Sequence, residues 1–257
     1  MSEYVPPRPD RMHAIPPLLS APVEERPKAT WRWWEAIGVY LLAFILSGFV
    51  AMPLVLAIDS EGLAMFMASA ASAIVIVGVL LFWLWRFHPT CRGAIGFPKR
   101  VWPEVRAGAV FGVLLYPAMV FGFGLVLTLL LDAVAGRAVT APEQLPPHLS
   151  AAGAIVGVVY IVVIAPIHEE LFFRGILYRG IRDRHGVWLG IVGSSLAFGP
   201  IHYIPGPLMG NLLLMSVMAC VGAALAYLYE RRGNVVANMI AHATFNAIGF
   251  VLIVLLR

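Results

Sequence analysis

Charge is scarce in this chain. Asp, Glu, Lys and Arg make up 12% of its 257 residues, whereas 60% are hydrophobic. A soluble domain carries roughly 25% charged residues, so the composition excludes a soluble globular protein. Apolar stretches of about 20 residues, long enough to cross a bilayer, recur along the chain. We therefore predict an all-α fold, a polytopic membrane helical bundle with about seven to eight transmembrane helices.

Cysteine is also rare, and we expect no cleavable signal sequence. Cys91 and Cys220 fall in a loop and in a span, which indicates neither a disulfide framework nor a cysteine zinc site. The first residues are rich in proline and charge and have no apolar core. We predict a disordered cytoplasmic tail at 1–32, N-terminal transmembrane helices at 33–149 and a functional core at 150–257. The predicted spans are about 34–58, 63–85, 107–131, 151–182, 187–204, 211–229 and 234–256.

The net charge of +4 does not indicate a nucleic-acid partner, because the basic residues are segregated along the chain. They cluster at 8–32, 86–106, 179–184 and 231–232, whereas the alternate loops hold only Arg137 beside several acidic residues. Cytoplasmic loops of membrane proteins carry this excess of Arg and Lys. We expect a multi-pass protein of the cell membrane with its N-terminus in the cytoplasm.

Polar residues at membrane depth are absent from most of the first 140 residues and concentrate after residue 150. At 1.5 Å per helical residue, Glu169 lies about 20 Å from the basic end of its span. His202, in the next span, lies about 22 Å from the basic end of that span. In the last span, His242 lies about 12 Å and Asn246 about 18 Å from the basic end. A charge near the bilayer midplane costs on the order of 3 kcal/mol, so such groups are normally paired, inward-facing and functional.

Helical spacing directs the two adjacent carboxylates to different faces of the helix. Glu170 and Arg174 are four residues apart, which permits an ion pair on one face. Glu169 points about 100° away and is free to face a cavity. A lone Glu–Arg pair is equally typical of a packing clamp, and a single membrane histidine often makes only an interhelical hydrogen bond. The convergence of three helices favours a site.

A zinc-protease motif, His-Glu-x-x-His, is incomplete in "HEELFFR", because Phe172 stands where the second histidine is required. Zinc bound by Glu169, His202 and His242 is an alternative, since two imidazoles and a carboxylate form a known zinc set. Asn246, one turn from His242, favours hydrogen bonding to an oxyanion instead. We expect no required cofactor, with zinc as the alternative.

Three motifs follow one another in the second half of the chain: Glu-Glu-x-x-x-Arg, Phe-x-x-x-His and His-x-x-x-Asn. Together they resemble the CAAX-protease and bacteriocin-processing (CPBP, or Abi) family of intramembrane endopeptidases, which includes the Ras-converting CAAX prenyl protease. The resemblance covers roughly residues 150–257, and no motif position departs from the pattern. The matching residues are Glu169, Glu170, Arg174, Phe198, His202, His242 and Asn246.

The resemblance implies an intramembrane protease, with a cavity open to the cytosol, that hydrolyses a membrane-associated protein or peptide. By that analogy Glu169 and His202 activate a water, His242 and Asn246 stabilise the oxyanion, and Glu170, Arg174 and Phe198 support the site. The family has been described both as metalloproteases and as glutamate-dependent enzymes. The alternative function is a non-catalytic immunity or scaffold protein that retains the fold. A proton-coupled transporter is disfavoured, because the sequence shows no internal repeat.

Overall fold

A computed structural model describes residues 26–89, 91–146 and 149–255 of the chain. These residues form helices joined by short loops, and no β-strand occurs among them. The helices are α1 (Trp33–Ala57), α2 (Glu61–Phe87), α3 (Cys91–Ile95), α4 (Val101–Ala135), α5 (Ala151–His185), α6 (Val187–Phe198), α7 (Leu208–Arg232) and α8 (Val235–Leu255). A short 3-10 turn at Pro200–His202 follows α6.

Six of these helices, α1, α2, α4, α5, α7 and α8, are long and apolar enough to cross a membrane. The remaining predicted span, the fifth at about 187–204, corresponds to α6 and its 3-10 turn, Val187–His202, a shorter apolar segment. At 1.5 Å per residue this segment reaches about 24 Å, less than the roughly 30 Å of a hydrocarbon core. The prediction of a polytopic all-helical bundle is confirmed.

The distribution of polarity is inverted relative to a soluble protein. Large apolar side chains such as Phe49 and Val134 are more than 70% exposed, as lipid-facing groups would be. Charged side chains such as Glu104, Glu170 and Arg174 are at most 1% exposed. Hydrocarbon supplies no hydrogen bonds, so each of these charges needs a protein partner within the bundle.

Two glycines of α4 bring this helix against α8. A Cβ atom on Gly108 would collide with the carbonyl oxygen of Ala237, and one on Gly112 with the carbonyl oxygen of Ala241. The stretch "GAVFG" is thus a G-x-x-x-G motif of the kind that lets membrane helices approach closely. This contact fixes the position of the α8 turn that carries His242 and Asn246.

One end of the bundle, which we call the basic face, joins the N-terminal segment to the ends of α2, α5 and α7. Ala29 donates its backbone N–H to Asp183 (2.8 Å), and Arg179 donates to the carbonyl of Pro27 (2.8 Å). The side chain of Trp31 is fully buried and donates its indole N–H to the carbonyl of Ile176 (2.9 Å).

The predicted disordered tail at 1–32 is therefore wrong for residues 26–32, and residues 1–25 lie outside the described residues. The rest of the predicted organisation into 33–149 and 150–257 stays a prediction.

The opposite end, which we call the far face, holds the connections from α1 to α2, from α4 to α5 and from α6 to α7. The hydroxyl groups of Ser60 and Ser150 meet there at 3.5 Å. Asn211, at the start of α7, binds both the backbone N–H and the carbonyl of Ile204 through its amide (3.0 and 2.7 Å). The loop carbonyl of Thr140 lies directly against Gly210.

Candidate active site

Glu170 and Arg174 form the ion pair that their spacing predicts. The guanidinium Nη1 donates to Glu170 Oε1 at 2.8 Å, and the two side chains are at most 1% exposed. The same guanidinium donates to the carbonyl of Gly222 at 3.2 Å and lies 4.4 Å above the centre of the Phe198 ring. Phe198 and Arg174 therefore pack as a unit beneath the site.

Glu170 also binds α8, which the sequence reasoning missed. Its Oε1 accepts a hydrogen bond from His242 Nδ1 at 2.8 Å, and its Oε2 accepts one from Asn238 at 3.3 Å. Asn238 also donates to the carbonyl of Leu225 at 2.6 Å. The signal was present in the sequence, because polar residues recur every four positions and form a ridge along one face of the last span, at Asn234, Asn238, His242 and Asn246. Glu170 thus joins two helices and orients the imidazole of His242.

Glu169 has a different environment from its neighbour. Its side chain is 12% exposed, and its Oε2 lies 3.9 Å from His242 Nε2. That oxygen accepts no hydrogen bond from any residue that the structure describes. A carboxylate oxygen that is nearly buried, unpartnered and close to an imidazole can accept a hydrogen bond from a water molecule or a substrate.

His202 lies in the 3-10 turn after α6, and its tautomer is fixed by the backbone. Its backbone N–H donates to Gly199 rather than to Phe198, the acceptor that an α-helix would use. The carbonyl of Phe198 is thereby released and accepts from His202 Nδ1 at 3.0 Å. A carbonyl can only accept, so Nδ1 carries the proton and Nε2 of the neutral ring is an acceptor.

Asn246 is held by a carbonyl that a proline leaves without a helical donor. The helix α5 widens to a π-helix over Tyr160–Ile164, so Ala165 donates its N–H to Tyr160 instead of Ile161. The next residue, Pro166, has no N–H to offer. The carbonyl of Ile161 accepts from the side-chain amide of Asn246 at 2.9 Å. One of the two amide hydrogens of Asn246 is used in this way, and the other is available.

A cavity of about 380 Å³ brings three of the four predicted catalytic residues together. Glu169 of α5, His202 after α6 and Asn246 of α8 line it. His242 is 3% exposed and lies behind Glu169, outside the lining. The volume is within the range of about 300–1,000 Å³ typical of ligand-binding pockets. The arrangement combines a carboxylate, an imidazole and an amide in a largely apolar enclosure.

The same residues do not form a metal site. Within the described part of the chain, no three side chains of His, Cys, Asp or Glu converge in a way that could hold a metal ion. The alternative zinc set of Glu169, His202 and His242 is therefore not gathered as ligands, and we derive no step through a metal.

The fold and this cavity define a class: a polytopic helical membrane protein that encloses acid, imidazole and amide groups inside its bundle. Residues 151–248 match the family model described as "Type II CAAX prenyl endopeptidase Rce1-like". This match includes all seven motif residues and confirms the predicted family resemblance for that part of the chain. A search of the curated proteins and a search of the solved structures each gave no significant match.

Proposed function

We propose that this protein is a glutamate-dependent intramembrane endopeptidase that hydrolyses a peptide bond of a membrane-anchored protein or peptide. One observation carries the proposal. Glu169 presents an unpartnered carboxylate oxygen beside a cavity that it shares with His202 and Asn246. Hydrolysis inside a bilayer needs a base, a water molecule and donors for developing negative charge, all enclosed by protein.

In the proposed reaction, a water molecule binds between Glu169 Oε2 and Nε2 of His202. Glu169 takes a proton from the water molecule, and the water oxygen attacks the carbonyl carbon of the peptide bond. The carbonyl oxygen becomes an oxyanion, which accepts a hydrogen bond from the second amide hydrogen of Asn246. Collapse of the intermediate breaks the C–N bond, and the leaving amine takes the proton from Glu169. A single pre-placed oxyanion donor is worth about 3–4 kcal/mol in such sites.

His242 is proposed as a second donor, oriented by Glu170. Its Nδ1–H is held by the Glu170 carboxylate, so its Nε2 is directed towards Glu169. Carboxylates that fix a histidine through one nitrogen set the role of the other nitrogen. When protonated, Nε2 donates towards the oxyanion or towards Glu169. Arg174 and Phe198 support this arrangement from below, and Glu170 is a positioning residue.

The test uses purified protein reconstituted in liposomes with a mixture of acylated peptides of randomised sequence, analysed by mass spectrometry. We expect cleavage products from the wild type and none from Glu169→Gln. His202→Ala and Asn246→Leu should each lose most of the activity while remaining folded. The matched control is Glu61→Gln, an exposed carboxylate at the start of α2. If the wild-type protein gives no more product than Glu169→Gln, the proposal is refuted. That result would favour the alternative of a non-catalytic immunity or scaffold protein.

We further propose that catalysis requires no metal cofactor, because Asn246 is a good oxyanion donor and an amide is a poor zinc ligand. Activity measured after dialysis against a strong chelator should equal that of the untreated enzyme. Complete loss that added zinc restores would contradict this part of the proposal and leave the endopeptidase assignment standing.

A further inference from the structure

The cavity extends from Glu169 towards one end of the bundle. Part of its lining comes from the first turns of α2, the loop between α4 and α5 and the last two turns of α8. These segments all lie at the far face, opposite the basic face. The residues concerned are Phe66, Ser69, Gln144, Leu145, Phe250 and Ile253.

Towards the basic face the bundle is closed by packed side chains. Glu170, Phe173, Arg174, Phe198 and Tyr229 are each at most 1% exposed. Phe173 and Phe198 meet edge to face with their centroids 5.0 Å apart. A substrate that approached from the basic face would have to separate this layer, including the buried ion pair.

The shortness of α6 explains this asymmetry. The segment Val187–His202 starts at the basic face and ends after about 24 Å, whereas the 25 residues of α7 reach about 37 Å. The chain turns at 203–207 and re-enters as α7, so no turn of α6 lies beside roughly the third of α7 that is nearest the far face. Ile201 and His202, at the end of this short segment, line the cavity.

The charge pattern then assigns the two faces to the two sides of the membrane. The basic clusters at 26–32, 86–106, 179–184 and 231–232 all flank the basic face, as cytoplasmic loops do. We propose, building on the endopeptidase function, that the cavity opens on the non-cytoplasmic side and takes membrane-anchored peptides presented from that side. This access differs from the cytosol-open cavity that the family resemblance implies.

The lining also indicates which peptides fit. Among the described residues, no Lys or Arg lines the cavity, and most of its wall is aliphatic or aromatic. An anionic headgroup or a C-terminal carboxylate would find no Lys or Arg side chain among these residues with which to pair. The substrate is therefore an uncharged, apolar segment of a membrane-anchored chain, cleaved internally near the middle of the bilayer.

Cysteine labelling tests the orientation without needing a substrate. In a background of Cys91→Ser and Cys220→Ser, Gln144→Cys places a thiol at the exposed far-face rim, and Arg184→Cys places one at the exposed basic face. A membrane-impermeant maleimide added to intact cells should label Gln144→Cys. Arg184→Cys should react only after permeabilisation. The reverse labelling pattern overturns the proposal.

A second arm tests access in the liposome assay described above. Each variant is compared with itself before and after reaction with a maleimide that carries a polyethylene glycol chain. Labelled Gln144→Cys should lose most of its cleavage activity, and labelled Arg184→Cys should keep it. If labelling removes the cleavage activity of Arg184→Cys and leaves that of Gln144→Cys intact, the access proposal is overturned. No cleavage by any unlabelled protein refutes the endopeptidase function instead, while the labelling of cells still decides the orientation.

Discussion

The two adjacent carboxylates of α5 are expected to respond in opposite ways to the same substitution. Glu170→Gln removes the negative charge that faces Arg174 at 2.8 Å in a site that is at most 1% exposed. One carboxylate oxygen also becomes an NH₂ group, which cannot accept a hydrogen bond from His242 or Asn238. Removing one partner of a buried ion pair costs about 3–5 kcal/mol, and we expect a loss of that size in the free energy of unfolding.

Glu169→Gln should leave the stability almost unchanged and remove the activity. The Oε2 atom of Glu169 accepts no hydrogen bond from the described residues, and its side chain keeps 12% exposure. The nearest ionisable partner of this oxygen, His242 Nε2, lies 3.9 Å away, beyond hydrogen-bond distance. The free energy of unfolding should therefore change by about 0.5 kcal/mol or less, as at positions without a strong partner. The amide cannot act as a base, so cleavage of the acylated peptides should fall to background.

The measurement is equilibrium unfolding in mixed micelles of a mild detergent and dodecyl sulfate, followed by the fluorescence of the seven tryptophans. A loss of 3–5 kcal/mol corresponds to roughly two to three and a half powers of ten in the unfolding constant. Glu61→Gln serves as the exposed control. A Glu170→Gln protein as stable as the wild type would refute the reasoning, as would a Glu169→Gln protein destabilised by several kcal/mol.

Two further predictions concern the helix contacts that hold the site, and both use the same unfolding assay. Gly112→Ala should lower the free energy of unfolding, because its Cβ meets the backbone oxygen of Ala241, whereas Gly38→Ala, with nothing within 4 Å, should be neutral or stabilising. Equal effects at the two glycines would contradict the close-packing argument. Trp31→Phe keeps an aromatic ring but leaves the carbonyl of Ile176 without its donor, and should cost about 1–3 kcal/mol. A Trp31→Phe protein of wild-type stability would mean that residues 26–32 do not dock as described.

Much of the fold followed from composition and helix geometry, because a bilayer leaves few alternatives to a helical bundle. The ion pair of Glu170 and Arg174 could be predicted because both residues lie on one helix, where spacing fixes their distance. The buried polar ridge of α8 could be predicted for the same reason. Asn234, Asn238 and His242 are all at most 3% exposed, as a ridge that faces the bundle interior should be.

The contacts between helices could not be predicted from spacing, because they depend on how each helix is rotated and how closely it approaches its neighbours. The hydrogen bond from His242 to Glu170 is one example, and the separation of His242 from the cavity lining is another. The docking of residues 26–32 was missed because their proline and charge are typical of a disordered segment. Trp31, an apolar residue in that segment, was the available signal, and its burial against α5 holds the segment in place.

Proline positions explain how polar side chains obtain partners in a helix that should satisfy its own backbone. Pro166 leaves the carbonyl of Ile161 free to hold Asn246, and the 3-10 turn that begins at Pro200 frees a carbonyl for His202. Pro166→Ala restores an N–H group. If the turn stays π-helical, the new N–H at position 166 can donate to the carbonyl of Ile161. If the turn relaxes to an α-helix, the N–H of Ala165 donates to that carbonyl instead.

Either outcome places a backbone donor on the carbonyl that holds Asn246 and competes with its amide. Pro166→Ala should therefore lose most of the peptide cleavage while the protein becomes as stable as the wild type or more so, by up to about 3 kcal/mol. The control is Pro53→Ala in α1, which removes a helical proline outside the cavity lining and should keep full activity. Full activity in Pro166→Ala would show that Asn246 does not depend on this carbonyl for its position. The backbone of α5 would then serve only as a scaffold for its carboxylates.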